Sequence, residues 1–164
     1  MLKTTKNLVK LYRKEAKEIL KKRKEKFKVM KYRVQNTRQK VKVRVERKFR
    51  LWYRLSKADE NGQVTCYTCG RVHSYKEVDA GHFKHRKLGL DKRNYKIQCK
   101  FCNRHLSGNG AIYRQNLVID FGIKWVEKLE LDANNYVVYE VPFMLEIEKD
   151  LKIKIKELKA KLNN

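Results

Sequence analysis

The N-terminal third of the chain has the apolar pattern of a helix. Between Thr4 and Leu55 there is neither glycine nor proline, and apolar residues recur mostly three, four or seven positions apart. This periodicity predicts one or two amphipathic helices. The stretch Val41–Val45 also alternates apolar and polar residues with a period of two, so a strand is the alternative there. The Asn61-Gly62 pair is a turn signal and is predicted to close the helical segment.

The middle of the chain contains short apolar runs bounded by turn residues. The segment Tyr75–Phe83 is predicted to be a strand, or a loop followed by a strand, and Gly89 marks a turn. The segment Tyr95–Gln98 alternates enough for a second strand. A helix is predicted to begin after Cys102. Two strands and one helix form a module that is too small to be stable without a cross-link.

Three further helices are predicted beyond this module. The first ends at Gly122, the second before Asn134, and the third has Pro142 in its first turn. The apolar residues of the third helix are spaced by three or four: Met144, Ile147, Leu151, Ile155, Leu158 and Leu162. This stripe is expected to pack on the rest of the chain. A seam with a second copy of the chain, giving a homodimer, is the alternative.

These patterns together predict a mostly helical α+β protein. Its expected parts are a basic helical arm (1–57), a central module (58–110) and a C-terminal helical segment (111–164).

The charge of the chain is large and unevenly distributed. Lys and Arg number 42 against 18 Asp and Glu, which gives a net charge of +24. Residues 1–57 hold 23 Lys and Arg against four Glu, a net charge of +19. Such an arm predicts contact with phosphates, from DNA or RNA. An anionic membrane is a weaker alternative, because no stretch approaches the roughly 18 apolar residues of a spanning helix. A ribosomal or RNA-packaging role stays open on charge alone.

All four cysteines of the chain lie in two Cys-x-x-Cys pairs, Cys66/Cys69 and Cys99/Cys102. Each pair has the spacing with which a turn presents two thiolates to one tetrahedral zinc ion. Two disulfides are the alternative, but they need an oxidising compartment, and the N-terminal apolar run is too short for a signal-peptide core. The sequence therefore predicts a structural zinc site in a cytoplasmic protein.

A histidine and two asparagines near the cysteines suggest phosphodiester hydrolysis. His82 can act as the general base, because imidazole titrates near neutral pH. Asn103 directly follows the fourth cysteine, where its amide oxygen can bind Mg²⁺. Asn94 precedes the second strand and can hold the imidazole through a hydrogen bond. Each of these residues alone is more often structural, so the hypothesis depends on their joint order.

The order of these residues resembles the HNH, or ββα-metal, endonuclease motif in its zinc-bound form. The NinG (Rap) recombination proteins of lambdoid phages are more similar still, over about residues 49–164. The stretches that carry this similarity are Cys66–Gly70, Asp79–Phe83, Asn94, Gln98–Cys99, Cys102–Asn103, Ser107–Asn109 and Tyr113–Arg114.

The resemblance implies a structure-specific endonuclease that cuts branched DNA, such as Holliday junctions and D-loops, during phage recombination. His82 would be the general base, Asn103 a ligand of Mg²⁺ or Mn²⁺, and Asn94 the central asparagine of the motif. The four cysteines would hold zinc in a treble-clef-like ββα module. The enzyme would then work in the cytoplasm of a bacterial host.

One position departs from the motif. Many HNH enzymes have an acidic metal ligand directly before the base, and here that residue is Gly81. Asp79 is the nearest carboxylate and the candidate replacement, and His85 or His105 are alternatives. Candidates for phosphate contacts are Lys84, Arg86, Arg93, Arg104 and Arg114. The competing function is a non-catalytic zinc protein that binds branched or single-stranded nucleic acid, in which His82 and Asn103 are only structural.

Overall fold

A computed structural model describes residues 2–85, 88–135 and 137–162, with side chains from Arg13 onward. The chain divides into two compact units, one up to Val41 and one from Lys42 on. The first unit consists of helix α1 (Leu2–Gln35) and the beginning of helix α2 (Arg38–Leu55). All side chains of α1 from Arg13 onward are exposed.

The second unit contains the rest of α2, two small hairpins and three helices. The strands are β1 (Gln63–Thr65), β2 (Val72–Ser74), β3 (Val78–His82) and β4 (Tyr95–Cys99). A 3₁₀ turn (Lys92–Asn94) precedes β4 and a π-helical turn (Phe101–His105) follows it. The later helices are α3 (Gly110–Phe121), α4 (Ile123–Asp132) and α5 (Val141–Leu162). The prediction of a mostly helical α+β protein is confirmed.

Residues 41–45 are helical, as predicted, and the alternative of a strand is wrong, because Val41, Val45 and Phe49 are buried at the four-residue spacing of a helix face. The local structure differs from the sequence prediction in two places. The helix expected after Cys102 is only the π-helical turn, since Ser107 and Asn109 both take the left-handed φ of 48° that ends it. The hairpin β1–β2 was not predicted. Its three-residue strands are too short to show a period.

The two strands that carry the candidate site form an antiparallel hairpin. Val78 pairs with Cys99 at one end of β3–β4, and His82 pairs with Tyr95 at the other. The C-terminal half of α2 packs on this hairpin. The ring of Phe49 meets that of Tyr95 edge-on with centroids 4.9 Å apart, and the Tyr53 hydroxyl donates to the backbone oxygen of Tyr95. The hairpin thus has a fixed position against α2.

Helices α3 and α4 cover the chain that leaves β3. Tyr113, Leu117 and Val126 form a buried cluster, and Phe83, the residue after His82, packs against it. Tyr113 also donates a hydrogen bond to the backbone oxygen of Gly81 at 3.3 Å. Both neighbours of His82 are therefore held by α3.

Helix α5 is joined to α2 by a buried carboxylate. Glu148 is only 6% exposed. It accepts hydrogen bonds from Arg44 Nε at 3.2 Å and Arg44 Nη2 at 2.9 Å, and Lys48 Nζ lies 3.8 Å away. Met144 and Leu151 of the predicted apolar stripe are buried on the same helix. Hydrogen bonding from Arg44 lowers the pKa of Glu148, which keeps the carboxylate ionised.

None of the helices in the described part of the chain combines the length and the apolar character that crossing a bilayer requires.

We expect Glu148→Gln to lower the free energy of unfolding by about 1–2 kcal/mol, because it leaves a partly buried Arg44 without its anion. Urea unfolding at saturating zinc measures this. Asp150→Asn is the control, since Asp150 pairs with Lys154 on an exposed part of the same helix. The wild-type contribution should be complete above the ordinary glutamate pKa and should disappear as the pH falls through the lowered pKa of the folded protein. Equal shifts in both variants would contradict this role of Glu148.

Candidate functional site

The four cysteines converge on one point. Their Sγ atoms all lie within 4.8 Å of one another, and Cys66, Cys99 and Cys102 are buried. Cys69 Sγ and Cys99 Sγ are 3.9 Å apart. Tetrahedral zinc with Zn–S bonds of about 2.3 Å requires sulfur atoms about 3.8 Å apart. The cluster can therefore hold a metal ion such as zinc.

The backbone around the cluster favours the thiolate of Cys66, whereas burial raises the pKa values of Cys69 and Cys102. The N–H of Cys99 points at Cys66 Sγ at 3.3 Å, and the N–H of Cys102 points at Cys99 Sγ at 3.4 Å. Burial alone would raise the pKa of Cys66, but hydrogen bonds from the Cys99 backbone and the Thr68 hydroxyl outweigh it and lower the pKa to about 6. Metal ligation needs the deprotonated sulfur, so this donor set fits zinc.

We expect the wild-type protein to contain one zinc ion per chain and Cys102→Ser to lose it. Removing one thiolate leaves three ligands, and the small hairpins depend on the cross-link for their stability. Zinc release measured with a chromogenic chelator, together with thermal unfolding, tests this. His105→Ala is the control, because the His105 ring lies against Phe101 and not in the cysteine cluster. Retention of zinc by Cys102→Ser would contradict the four-cysteine site.

His82 lies at the end of β3 with its imidazole held by Tyr95. His82 Nε2 is 3.1 Å from the Tyr95 hydroxyl oxygen, and that hydroxyl is 2.8 Å from the backbone oxygen of Gly89. The phenol has one proton. If it donates to Gly89, then Nε2–H must donate to the phenol and Nδ1 carries the lone pair. This arrangement makes Nδ1 the basic nitrogen.

The surroundings of His82 keep the imidazole neutral. Burial is the main cause, and electrostatic interactions with Arg50 and His85 add to it, so that the pKa falls to about 4. The His85 ring centroid lies 5.8 Å from that of His82. At neutral pH the imidazole is therefore entirely in the form that can accept a proton.

Asn94 closes the loop that follows His82. Its side chain is 1% exposed. Its amide oxygen accepts from Lys84 N at 2.7 Å, and its amide nitrogen donates to Lys84 O at 2.9 Å. Phe83 N also donates to the Asn94 backbone oxygen at 2.8 Å. Asn94 therefore supports His82 through the backbone of the following residues, whereas the sequence suggested that Asn94 holds the imidazole itself through a backbone or side-chain hydrogen bond.

We expect Asn94→Ala to destabilise the protein by about 2–3 kcal/mol, since two backbone groups of Lys84 lose their partners. Amide hydrogen exchange should show faster exchange at Lys84. Asn116→Ala is the control, because Asn116 makes one bond, to the Tyr67 backbone oxygen at 2.6 Å, on another loop. If the Lys84 amide in Asn94→Ala is protected from exchange as strongly as in the wild type, the hydrogen bonds between Asn94 and Lys84 are not needed to hold this loop.

Asp79 and Asn103 contact each other. Asn103 Nδ2 donates to Asp79 Oδ2 at 3.1 Å, and Arg104 Nε donates to the same oxygen at 2.8 Å. Burial alone would raise the pKa of Asp79, but the hydrogen bonds from Arg104 and Asn103 lower it. Because the Asn103 nitrogen makes this bond, the amide oxygen is the atom that can bind a cation. Asp79 and Asn103 form the candidate cation site.

The imidazole and the Asp79–Asn103 pair belong to opposite faces of the hairpin. His82 is directly opposite Tyr95, and Asp79 is directly opposite Gln98. Directly opposed residues share a face, and residues three apart on a strand point to opposite faces. The structure therefore brings Asp79 to Asn103 but holds His82 against Tyr95 on the α2 side.

Gly81 leaves room for a buried glutamine. A Cβ at Gly81 would lie 2.1 Å from Gln98 Oε1, so no side chain fits there unless Gln98 moves. Gln98 Nε2 donates to the backbone oxygen of Gly108 at 2.7 Å. Gln98 thus occupies the space that an acidic residue before His82 would need. Neither Gln98 nor Tyr95 was expected in the site, because both roles follow from strand pairing and not from a local motif.

The predicted phosphate-contact residues are mostly paired within the protein. Lys84 and Arg114 both bond Glu130, at 3.0 Å and 3.2 Å. Arg93 reaches Asp91 and Asp132, and Arg104 bonds Asp79. Each would have to share its charge between a carboxylate and a phosphate. Arg86, the fifth candidate, lies outside the described residues.

Comparison with known proteins gives one consistent result. A family model described as "Bacteriophage Lambda NinG protein" matches residues 2–161. Among curated proteins, "Protein ninG" of Salmonella phage P22 is 34% identical over 82 residues, which is 48% of this chain and 40% of that protein. "Protein ninG" of Escherichia phage lambda is 32% identical over the same length and shares. These alignments thus span less than half of each relative. No solved structure matches the chain.

Proposed function

Because this chain belongs to the NinG family of bacteriophage proteins, we propose that it is a metal-dependent endonuclease that cuts branched DNA. The observation that carries the proposal is His82, a neutral imidazole with a defined basic nitrogen at the end of a cross-linked hairpin. A partly buried histidine whose pKa is lowered to about 4 and whose tautomer is set by a neighbour is typical of catalytic sites. We further propose that the hairpins form a zinc-bound ββα-metal module.

The proposed chemistry assigns each group one task. His82 Nδ1 takes a proton from the water that attacks the phosphorus. Asn94 keeps the loop after His82 in place, and Tyr95 keeps the imidazole in the required tautomer. Asn103 Oδ1 and Asp79 would hold a divalent cation such as Mg²⁺ or Mn²⁺, which would supply positive charge for the phosphate. Because this pair and His82 belong to opposite faces of the hairpin, both would act on one phosphate only if it lay across the edge of the hairpin. The cysteine cluster would hold a structural zinc ion.

The positive charge of the chain supports a DNA substrate. The net charge of +24 gives strong attraction to any polyanion. This attraction raises the affinity for DNA in general but does not distinguish branched DNA from a linear duplex. A preference for branched DNA must therefore come from another feature of the surface. Lys84, Arg114 and Arg104 form partly exposed ion pairs with Glu130 or Asp79, and they can exchange these carboxylates for phosphates at modest cost.

A second function is favoured by one observation. His82 and the Asp79–Asn103 pair belong to opposite faces of the hairpin, and Asn103 already uses its amide nitrogen on Asp79. A non-catalytic zinc protein that binds branched or single-stranded nucleic acid does not require His82 to lie near the Asp79–Asn103 pair. It would bind with steep salt dependence and would not cleave.

We expect His82→Ala to reduce Mg²⁺-dependent cleavage of a synthetic four-way junction by at least about 100-fold, the usual contribution of a general base. Product formation on a denaturing gel measures it, with a linear duplex of the same sequence in parallel. His73→Gln is the control, since His73 lies in the other hairpin, paired with Val64. Cleavage that is absent in the wild type, or equal in His82→Ala, would favour the non-catalytic function.

The acid side of the rate profile tests the assigned base. A base acts when deprotonated, so activity should be lost only as the pH falls through the pKa of His82, about 4. The rate at pH 5.5 should therefore stay close to that at pH 7.5. A histidine with the ordinary pKa of about 6.5 would leave roughly a tenth of the base form at pH 5.5. Zinc content must be unchanged at both pH values, and a roughly tenfold loss with zinc retained would contradict the lowered pKa of His82.

A further inference from the structure

A cavity of about 430 Å³ lies between the C-terminal end of α2, the chain entering β4, and the junction of α3 with α4. We call it the aromatic–lysine pocket. It is lined by Trp52, Tyr53, Lys92, Lys96, Phe121 and Trp125. The chain has two tryptophans, and both are in this lining. The volume is within the range of about 300–1,000 Å³ that small-ligand sites occupy.

The pocket is lined by aromatic rings that are supported by other rings. Phe121 and Trp125 stack with centroids 4.4 Å apart and an angle of 23° between the rings, and Phe121 remains 45% exposed. On the other side Trp52 is fixed by Phe49, with centroids 5.5 Å apart. Both sides of the pocket therefore offer a supported ring to a planar group.

Lysine ammonium groups lie over these rings. Lys96 Nζ is 4.3 Å from the centroid of Phe121, and Lys92 Nζ is 4.8 Å from that of Trp52. Among the residues whose side chains the structure describes, neither lysine forms an ion pair with a carboxylate. Burial lowers the pKa of Lys96, and the nearby Asp120 carboxylate offsets this only in part. Asp120 also accepts a hydrogen bond from the Tyr67 hydroxyl at 2.8 Å. The positive charges are thus available to an anion.

The combination selects one class of ligand. A cationic ligand would be repelled by the lysines, and a purely apolar ligand would gain nothing from them. A planar ring joined to anionic groups satisfies both parts of the pocket. A nucleotide has this composition, because every base has a face that stacks and is flanked by phosphates.

We propose that the aromatic–lysine pocket binds one unstacked nucleotide of a DNA strand. Its base would take the place of the lysine ammonium over Phe121 or Trp52, and its phosphates would draw Lys92 and Lys96 away from the rings. This inference extends the proposed function. Unpaired or easily unstacked bases occur at branch points and not within a continuous duplex. The pocket would therefore supply the structural preference that net charge alone cannot.

The test uses the full-length protein in buffer without Mg²⁺, so that binding is measured apart from cleavage. The probe is a short single-stranded oligonucleotide with 2-aminopurine at its centre, and the comparison is the duplex made from it. We expect wild-type protein to quench the 2-aminopurine of the single strand, and the strand to quench the tryptophan fluorescence. Phe121→Leu should weaken binding of the single strand roughly tenfold and leave duplex binding unchanged, since base stacking is lost and charge is not.

Two control variants separate stacking from folding and charge. Phe143→Leu removes another exposed ring, stacked on Tyr139, and should change neither affinity. Lys92→Gln should weaken single-strand binding more than Lys156→Gln, which removes an equal charge from the exposed face of α5. Zinc content and melting temperature should match the wild type in each variant.

The inference is overturned if Phe121→Leu weakens single strand and duplex equally, or weakens neither. It is also overturned if tryptophan fluorescence does not respond to the bound single strand. These outcomes are independent of cleavage. If the protein stacks bases but does not cut DNA, the pocket is supported and the proposed endonuclease activity is contradicted. If it cuts DNA but does not stack bases, the activity is supported and the pocket is contradicted.

Discussion

The four-cysteine cluster is the contact on which the rest of the second unit depends. It joins the turn after β1, which contains Cys66 and Cys69, to the end of β4 and the π-helical turn, which contain Cys99 and Cys102. The strands in question are only three to five residues long, and hairpins of this size are marginal alone. Fixing the Cys99 end of β4 to the cluster therefore limits where Tyr95 at its other end, and with it His82, can lie. The candidate base has its position because of sulfur atoms at the far end of its hairpin.

Around this cross-link, buried polar side chains take the place of extended secondary structure. Asn94 completes the backbone of the loop after β3, and Gln98 fills the space above Gly81. Such groups are costly when unpaired, so they specify one arrangement of the loop and exclude others. The same residues explain why no carboxylate precedes His82: the position is occupied from the neighbouring strand.

Local patterns were sufficient to predict the features that depend on spacing alone. The paired Cys-x-x-Cys motifs identified the cysteine cluster, and the three-to-four-residue spacing identified α2 and α5. The contacts that depend on distant residues were not predictable in this way. Asn103 was expected to face His82, but its partner is Asp79, a choice fixed by the register of β3 with β4 and by the π-helical turn. The phosphate-contact candidates likewise showed only their charge in the sequence, whereas their carboxylate partners are 16 to 46 residues away for Arg114 and Lys84. Tyr95 reads as an ordinary strand residue until its pairing with His82 is known.

The length of α1 has a consequence for how the protein meets other charged molecules. A helix of 34 residues extends about 51 Å, and α1 carries 14 Lys and Arg against three Glu along it. At an ionic strength of about 0.1 M, its field reaches roughly 10 Å beyond the side chains before ions screen it. The distance over which the helix attracts a polyanion therefore decreases as salt is added. The speed of first encounter with a polyanion should depend on ionic strength far more than the geometry of the final complex does.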